Sequence, residues 1–293
     1  MPFPARLAVV LALAVCASCV PPLPDNDEYT RFDEETVMGR LQDAGELRVA
    51  LPDDAGAPWA LVEGTSAQGF APDLAREIGE SLRVDVTFRE APSAELVDLV
   101  DSGQVDVAFP VATITEELVR RHAFSDPIFV AHQRLLMREG TGVEDVDDIS
   151  GEVCSPIDDA TGVDLLELNP SAATLPLRPG DVRGCIDLLR QGLVDVATAT
   201  DVLLAGMLVG LSDGYEVTGE QLTTEAYGIS LESGASGWVD YVNKIITEYD
   251  QEGRWAASYE SHFGSLIGGA TPEPPNMTVE EAAALFPADL DEE

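Results

Sequence analysis

Basic residues are scarce in this sequence. Lysine and arginine together number 16 against 54 aspartates and glutamates, Lys244 is the sole lysine, and the formal net charge is -38 at pH 7. A chain this acidic repels phosphate backbones and anionic lipid headgroups. The composition therefore excludes a nucleic-acid-binding protein, and the excess of carboxylates is typical of a solvated surface.

Long hydrophobic runs are also missing near the start of the chain. The apolar run from Leu7 to Val15 is too short to span a bilayer, which takes about 20 residues, but together with Arg6 it is typical of a secretory signal. We expect residues 1–18 to be a lipoprotein signal peptide that is cleaved before Cys19, the residue that would carry the lipid. Lipidation at Cys16 and an ordinary secretion signal are the alternatives.

Cysteine is limited to four residues, and the two that follow Cys19, Cys154 and Cys185, do not have the CxxC or Cys/His spacing of a zinc site. Cys154 and Cys185 lie in the part that we expect to be exported, where an oxidising compartment allows a disulfide to persist. We therefore expect these two cysteines to be bonded and no metal to be bound. Two buried free thiols are the alternative.

Motifs of catalysis are absent as well. The sequence contains no Gly-x-Ser-x-Gly and no glycine-rich phosphate loop, and His122, His132 and His262 do not have the spacing of metal ligands. These absences favour a protein that is not an enzyme and needs no cofactor.

Strand and helix patterns alternate through both halves of the chain. LRVAL (47–51) reads as a strand, and Leu74, Ile78 and Leu82 follow at the four-residue steps of a helix face. The segments LVDLVDSGQVDVAF and CIDLLRQGLVDVAT, one in each half, share a helix face, a glycine and a Val-Asp-Val-Ala strand. This alternation predicts an α/β protein in which helices cover largely parallel sheets.

The segments LRVALPDDAGAPW, QGFAPDLAREIGESL, TITEE, HAFSDPIF, CIDLLRQGLVDVAT and YGISLESG, in this order, resemble the amino-acid-type extracellular solute-binding proteins known as family 3. The resemblance implies a two-lobed fold of the type II periplasmic-binding-protein kind, in which each lobe is a sheet flanked by helices and two hinge strands join the lobes. It also supports the disulfide. The ranges that we expect are 19–44 for a tether and short helix, 45–131 plus 226–267 for lobe 1, 132–225 for lobe 2, and 268–293 for a mobile acidic tail.

Ligands of open parallel sheets bind beyond the carboxyl ends of the strands. The loops at those ends supply the predicted ligand-binding residues, although the acids among them are alternatively helix N-caps. They are Asp53, Trp59, Val111, Thr113, Asp159, Thr161 and Asp201.

The amino-acid clamp of the family is altered in this sequence. Relatives usually have an arginine, which grips the ligand carboxylate, at the position of Leu118, and an acid, which pairs with the ligand amino group, at the position of Thr200. We therefore expect the solute to be a cationic or neutral polar molecule, bound in a cleft rimmed by acids, rather than a free α-amino acid.

The signal segment and the resemblance together lead us to expect a monomeric protein outside the cytoplasmic membrane, lipid-anchored at the cell envelope. It would capture a small polar solute (an amino acid, an amine or a related molecule) and deliver it to the permease of an ABC importer. A tethered sensor or accessory protein, and a dehydratase-like enzyme of the same fold, are the alternatives.

Overall fold

The structure, a computed structural model, describes residues 30–142, 145–155, 173–175, 181–211, 213–267 and 270–286. The signal segment, Cys19 and the tether up to residue 29 lie outside these ranges, as do Asp159 and Thr161. The residues from Phe32 onward form one compact unit.

Fourteen strands and ten helices are present in the described residues. The strands are β1 Glu46–Pro52, β2 Leu61–Glu63, β3 Ser66–Gln68, β4 Asp85–Ala91, β5 Val107–Ala108, β6 Ala123–Phe124, β7 Phe129–Ala131, β8 Gln133–Arg138, β9 Glu152–Cys154, β10 Ala173–Leu175, β11 Val196–Thr200, β12 Tyr215–Thr218, β13 Glu225–Tyr227 and β14 Ser230–Leu231. The helices are α1 Val37–Ala44, α2 Phe70–Leu82, α3 Leu96–Asp101, α4 Glu116–Arg121, α5 Val182–Gln191, α6 Asp201–Gly210, α7 Ser236–Gln251, α8 Arg254–His262, α9 Gly264–Ile267 and α10 Val279–Ala283.

Two five-stranded sheets confirm the α/β architecture with two lobes. The first sheet has the order β4-β1-β5-β14-β6, and the second has the order β10-β9-β11-β8-β12. In each sheet the strands that alternate with helices pair in parallel, as β1 does with β4 and β5, and β9 does with β10 and β11. The repeated sequence pattern of the two halves therefore corresponds to one parallel unit in each sheet.

Two short strands join the lobes. β7 follows β6 of the first sheet and precedes β8 of the second, whereas β13 follows β12 of the second sheet and precedes β14 of the first. β7 and β13 pair with each other in antiparallel fashion, with Ala131 opposite Glu225 and Phe129 opposite Tyr227. This two-stranded ribbon is the hinge, and it lies at the two chain crossings that the sequence predicts.

Side-chain periodicity explains the helices of the first lobe. Leu74, Ile78 and Leu82 of α2 are fully buried, as their four-residue spacing predicts. Thr36 caps α1 by accepting the N–H of Gly39. The C-terminal part of the first lobe has two helices in succession, because Gly253 adopts a left-handed conformation (φ 72°) between α7 and α8.

The C-terminal segment differs from the mobile tail that its composition predicts. In residues 270–286, Thr278 and Glu281 form a capping box at the start of α10, and the Val279 N–H donates to Asp126 Oδ1 at 2.9 Å. Ala282 and Ala283 are buried in a cluster with Ile114 and Ala226. This part of the segment therefore packs on the first lobe and on the hinge.

Candidate functional site

The loop after β1 carries the first predicted site residues. Asp53 is exposed, and its N–H donates to the carbonyl oxygen of Ala91 at 3.1 Å. The side chain of Asp54 is partly buried, and its Oδ1 accepts from Ser93 Oγ at 2.6 Å. Burial raises the pKa of Asp54, although the bond from Ser93 opposes the shift. Asp53 is thus accessible to solvent, whereas the side chain of Asp54 is held by the hydrogen bond from Ser93.

Trp59 lies in the core of the first lobe. Its ring is fully buried against Phe70, Phe129 and Tyr227, with ring centroids 5.6 to 6.1 Å apart, and its Nε1 donates to the carbonyl oxygen of Phe109 at 3.1 Å. In this conformation both faces and the polar edge of the indole are occupied by the protein. The predicted contact of Trp59 with a solute is therefore not present in this conformation.

Thr113 joins the loop after β5 to the hinge. Its Oγ1 donates to Glu225 Oε2 at 2.8 Å, and Thr223 Oγ1 donates to Glu225 Oε1 at 2.7 Å. Glu225 is almost fully buried, and this burial raises the pKa of its carboxyl. Val111, in the same loop as Thr113, is half-buried. One wall of the inter-lobe region is therefore a buried carboxylate on a hinge strand.

Asp201, the first residue of α6, is 5% exposed. Its Oδ1 is buried and has no hydrogen-bond partner in the described part of the chain. Burial raises the pKa of Asp201 to about 7, because desolvation outweighs the N–H groups of His132 and Val202 and the positive charge of Arg134. The carboxyl therefore titrates close to neutral pH.

The structure brings some of the predicted residues together. The Glu225 charge contributes to the raised pKa of Asp201, and burial followed by the charge of Glu225 raises that of Tyr227. Thr113, Glu225, Tyr227 and Asp201 thus form one polar cluster along the hinge. Asp53 does not belong to this cluster.

The structure also describes the position of Leu118, where relatives usually have the clamp arginine, and the two arginines that follow it. Leu118 is half-buried in α4, where its N–H donates to the capping hydroxyl of Thr115. Arg120 and Arg121 are exposed, and Arg121 pairs with Glu117 of the same helix at 3.0 Å.

The predicted disulfide is present between Cys154 on β9 and Cys185 on α5, with Cα atoms 5.7 Å apart.

The two lobes are in backbone contact where the loop after β1 meets α6. A Cβ added to Gly56, in the loop after β1, would lie 2.8 Å from Gly206 Cα in α6. A Cβ added to Gly206 would overlap the carbonyl oxygen of Ala55. The loop after β1 therefore rests directly on α6, and the lobes are closed at this point.

A cavity of about 290 Å³ lies beside the hinge, between the lobes; we name it the hinge cavity. The residues that matter for its chemistry are Phe129, Arg134, Asp201, Trp255, Tyr259 and Glu273. A larger surface cavity of about 790 Å³ lies near α1 and α3. Two ion pairs lie within its lining, Arg48 with Asp106 at 2.6 Å and Arg40 with Glu232.

Sequence reasoning did not select Glu225 or Arg134. Both belong to strands of the hinge region, where an isolated charge in the sequence usually indicates a solvated edge. One signal was available: each charge stands beside a residue with a β-branched or apolar side chain that the strand must bury, as in Glu225-Ala226-Tyr227. Alternation alone, however, does not tell which face of a two-stranded ribbon is covered.

The described ranges contain neither a metal-binding cluster nor a helix that could span a membrane. No group of three or more His, Cys, Asp or Glu side chains in those ranges is arranged to hold a metal ion. None of the helices in the same ranges combines the length and the apolarity that crossing a bilayer requires.

Similar proteins have the same two-lobed fold. An ancestral arginine-binding protein bound to arginine superposes with a TM-score of 0.61 at 26% identity, over 75% of this chain and 99% of the other. An ancestral cationic amino acid solute-binding protein gives a TM-score of 0.65 at 20% identity, over 78% of this chain and all of the other. Both are type II binding proteins, which confirms the predicted fold class.

Relatives with assigned names are mostly binding proteins. The glutamine-binding protein GlnH of a Bacillus subtilis ABC transporter is 24% identical over 87% of this chain and 93% of its own length. The L-cystine-binding protein TcyJ of Escherichia coli is 22% identical over 80% of this chain and 89% of its own length. An enzyme also matches. The membrane-bound lytic murein transglycosylase F of Aeromonas hydrophila is 29% identical over 61% of this chain and 36% of its own length.

Residues 47–265 match the profile of the bacterial extracellular solute-binding proteins, family 3. The matched range spans both sheets, the hinge ribbon and helices α2 to α8. It therefore covers the whole of the two-lobed architecture and most of the chain. This chain belongs to family 3 of the bacterial extracellular solute-binding proteins.

Proposed function

We propose that this chain is a lipid-anchored solute-binding protein outside the cytoplasmic membrane, which captures a small polar solute with an amino group and delivers it to the permease of an ABC importer. The buried carboxylate of Asp201 carries this proposal. It lies between the lobes, and one of its oxygens has no partner in the described residues. A buried charge of this kind is costly unless a positive group pairs with it.

The chemistry of the inter-lobe region supports a cationic group on the solute. Asp201 and Glu225 are both buried there, and neither forms an ion pair with a described residue. Two such carboxylates create a negative potential in a region of low dielectric. An ammonium group that enters it would be stabilised, whereas an anion without a positive group would be repelled.

Closure of the hinge would couple binding to delivery. In this proposal lobe 1 comprises residues 45–131 plus 226–267 and lobe 2 comprises residues 132–225, since the strands of the two sheets divide between these ranges. A solute that bonds to both lobes favours the closed state. The permease would then recognise the closed form of the protein. The lipid on Cys19 would keep the protein, acting as a monomer, beside the membrane.

A tethered sensor or accessory protein is the second candidate, favoured by the altered clamp at Leu118. We propose a role in binding without a catalytic step for either candidate, because the named relatives are mostly binding proteins. Measuring solute uptake in cells that lack the cognate permease distinguishes the two candidates. An import protein would no longer affect uptake in these cells, whereas a sensor would still produce its signal.

A thermal-shift screen of the full chain in detergent tests the proposed function. The panel contains amino acids, polyamines, quaternary amines, small peptides and sugars. A solute at 100 times its Kd stabilises the fold by about 2.7 kcal/mol, which raises the melting temperature by about 2 to 8 °C. We expect the stabilising compounds to carry a positive group. Stabilisation by sugars alone, or by nothing in the panel, would contradict the proposal.

A further inference from the structure

The described chain continues past the range that matches the family. The profile ends at residue 265, within α9 (Gly264–Ile267), and residues 270–286, which include α10, come after it. We name residues 264–267 and 270–286 the C-terminal strap. Because nearly all of the strap lies beyond the matched range, membership of the family does not account for its role.

The start of the C-terminal strap lies on the second lobe. α9 follows α8 of the first lobe, yet it contacts α6 and β12, which belong to the second lobe. The carbonyl oxygen of Ile267 also faces Arg134 Nη1 of β8 at 3.5 Å, the outer limit of a hydrogen bond. Ala270, Pro272 and Glu273 then form part of the wall of the hinge cavity. The chain therefore reaches the second lobe as it leaves α8.

The end of the C-terminal strap is hydrogen-bonded to the first lobe. At the start of α10 the Val279 N–H donates to Asp126 Oδ1 at 2.9 Å, and Asp126 comes shortly before hinge strand β7. Beyond α10 the carbonyl oxygen of Phe286 accepts the N–H of Glu116, the first residue of α4, at 3.1 Å. These two bonds attach the strap to the first lobe at the start of α10 and just beyond its end.

Apolar contacts place α10 on the hinge itself. One buried cluster contains Ala282 and Ala283 of α10, Ile114, and Ala226 of hinge strand β13. The next residue of the strap, Ala284, is exposed. Because Ala226 lies in the middle of β13, a rotation of the hinge ribbon moves part of the surface on which α10 packs.

We propose that the C-terminal strap ties the two lobes together across the hinge and raises the share of the closed form before any solute binds. Opening rotates one lobe against the other about β7 and β13. A strap that is attached to both lobes must then give up one set of contacts, so these contacts favour the closed form. The inference goes beyond the proposed function, since it concerns the solute-free chain and holds for any solute.

The strap has two opposite consequences for capture. A solute enters only while the lobes are apart, so a larger closed share slows its entry. The solute binds most tightly to the closed form, so the same closed share lowers the apparent Kd. The strap therefore favours tight capture over fast exchange, and it leaves part of the solute-free population open.

The distance between the lobes of the solute-free chain tests the strap. Spin labels are placed on Leu61→Cys in the first lobe and Val209→Cys in α6, both exposed positions, in the full chain in detergent. The loop after β1 and α6 are in contact, so opening moves the two labels apart. Pulsed electron paramagnetic resonance then measures the shares of short and long distances.

Two aspartate substitutions in the labelled chain form a matched pair. Ala283→Asp puts a charge into the buried cluster, where burial is costly, so α10 should leave the first lobe. The ratio of open to closed chains should then rise about fivefold or more. Ala284→Asp adds the same charge at the exposed neighbouring position and should leave the distances unchanged.

A milder variant keeps the test valid if Ala283→Asp does not fold. Val279 is the first residue of α10, a position that accepts proline, and Thr278 before it is already extended, as a residue before proline must be. Val279→Pro therefore removes the hydrogen bond to Asp126 and keeps the helix. It should shift the distances in the same direction by a smaller amount, whereas Val279→Ala, which keeps the N–H, should shift them less than Val279→Pro does.

Hydrogen exchange of the same chains shows whether the strap is docked. The N–H groups of Val279 and Glu116 should be protected in the unchanged chain and in Ala284→Asp, and should lose this protection in Ala283→Asp. If protection is lost while the distances stay those of the unchanged chain, or if these groups are unprotected in the unchanged chain, the inference is wrong. Either result leaves the proposed function standing, because no solute is used; the proposed function fails separately, in the thermal-shift screen.

Discussion

Replacing Asp201 by asparagine is expected to stabilise the solute-free chain by up to about 4 kcal/mol at pH 8. The pKa of Asp201 is raised from 3.8 to about 7 in the folded chain by burial, and one pKa unit corresponds to about 1.4 kcal/mol. The folded state holds the proton more tightly than the unfolded state does. The contribution of Asp201 to the free energy of unfolding is therefore greatest below pH 3.8 and is lost as the pH rises through about 7. Asparagine has the shape of the protonated carboxyl and avoids this loss.

Urea unfolding of Asp201→Asn and of the unchanged chain at pH 5 and pH 8 measures the effect. The difference between the two chains should be larger at pH 8 than at pH 5. Asp187→Asn, an exposed carboxyl in α5, is the control and should differ from the unchanged chain by less than about 0.5 kcal/mol. A difference that is independent of pH would show that the Asp201 carboxyl is not desolvated.

Other ionisable groups face Asp201 and are present in both chains, so the comparison isolates the effect of the Asp201 carboxyl. They are Arg134, Glu225, Tyr227 and Tyr259, together with His132 and Glu273 in the cavity wall. The stability gained by Asp201→Asn would coincide with weaker solute binding. This opposition is expected where a strained, buried charge serves function.

Removing the disulfide is expected to destabilise the folded chain by about 3 to 4 kcal/mol. Cys154 and Cys185 close a loop with a sequence separation of 31, and the chain-entropy model gives this range for a loop of that length. Both cysteines are fully buried, and the bond ties α5 to β9. In the double variant C154A/C185A the unfolded chain gains the freedom that the bond removes.

Urea unfolding of the oxidised chain, the chemically reduced chain and C154A/C185A checks this value. Cys19, which we expect to carry the lipid, is present in all three samples, so it does not contribute to the differences between them. The reduced chain and the double variant should unfold at similar, lower urea concentrations. A loss of less than about 1 kcal/mol would mean that the second lobe does not depend on this cross-link.

Periodicity predicts the strands and helices of the two lobes because those elements bury one continuous face. Leu74, Ile78 and Leu82 establish α2 in this way, and Leu47 to Leu51 establish β1. The break between α7 and α8 is not predicted, because apolar residues continue on both sides of Gly253, with Tyr249 before it and Trp255 after it. A glycine inside a continuing apolar pattern does not reveal its backbone conformation.

The candidate site is predicted only in part. Thr113 and Asp201 follow strands at their carboxyl ends, where the rule for open sheets places ligands, and the structure brings both into the hinge cluster. Arg134 and Glu225 are not predicted, since their burial depends on the packing of two distant chain segments. For the same reason the acidic composition of the C-terminal segment does not predict that Ala282 and Ala283 pack against Ile114.

Small-angle X-ray scattering of the full chain in detergent, with and without a bound amino acid or amine, tests most directly whether the lobes close on a solute. A saturating solute is expected to lower the radius of gyration. Gly206→Ala should prevent this compaction, because the added Cβ overlaps the carbonyl oxygen of Ala55, whereas Gly210→Ala, whose Cβ meets a flexible Ile186 side chain, should compact normally. An unchanged radius of gyration with a solute that calorimetry shows to be bound would contradict capture between two closing lobes.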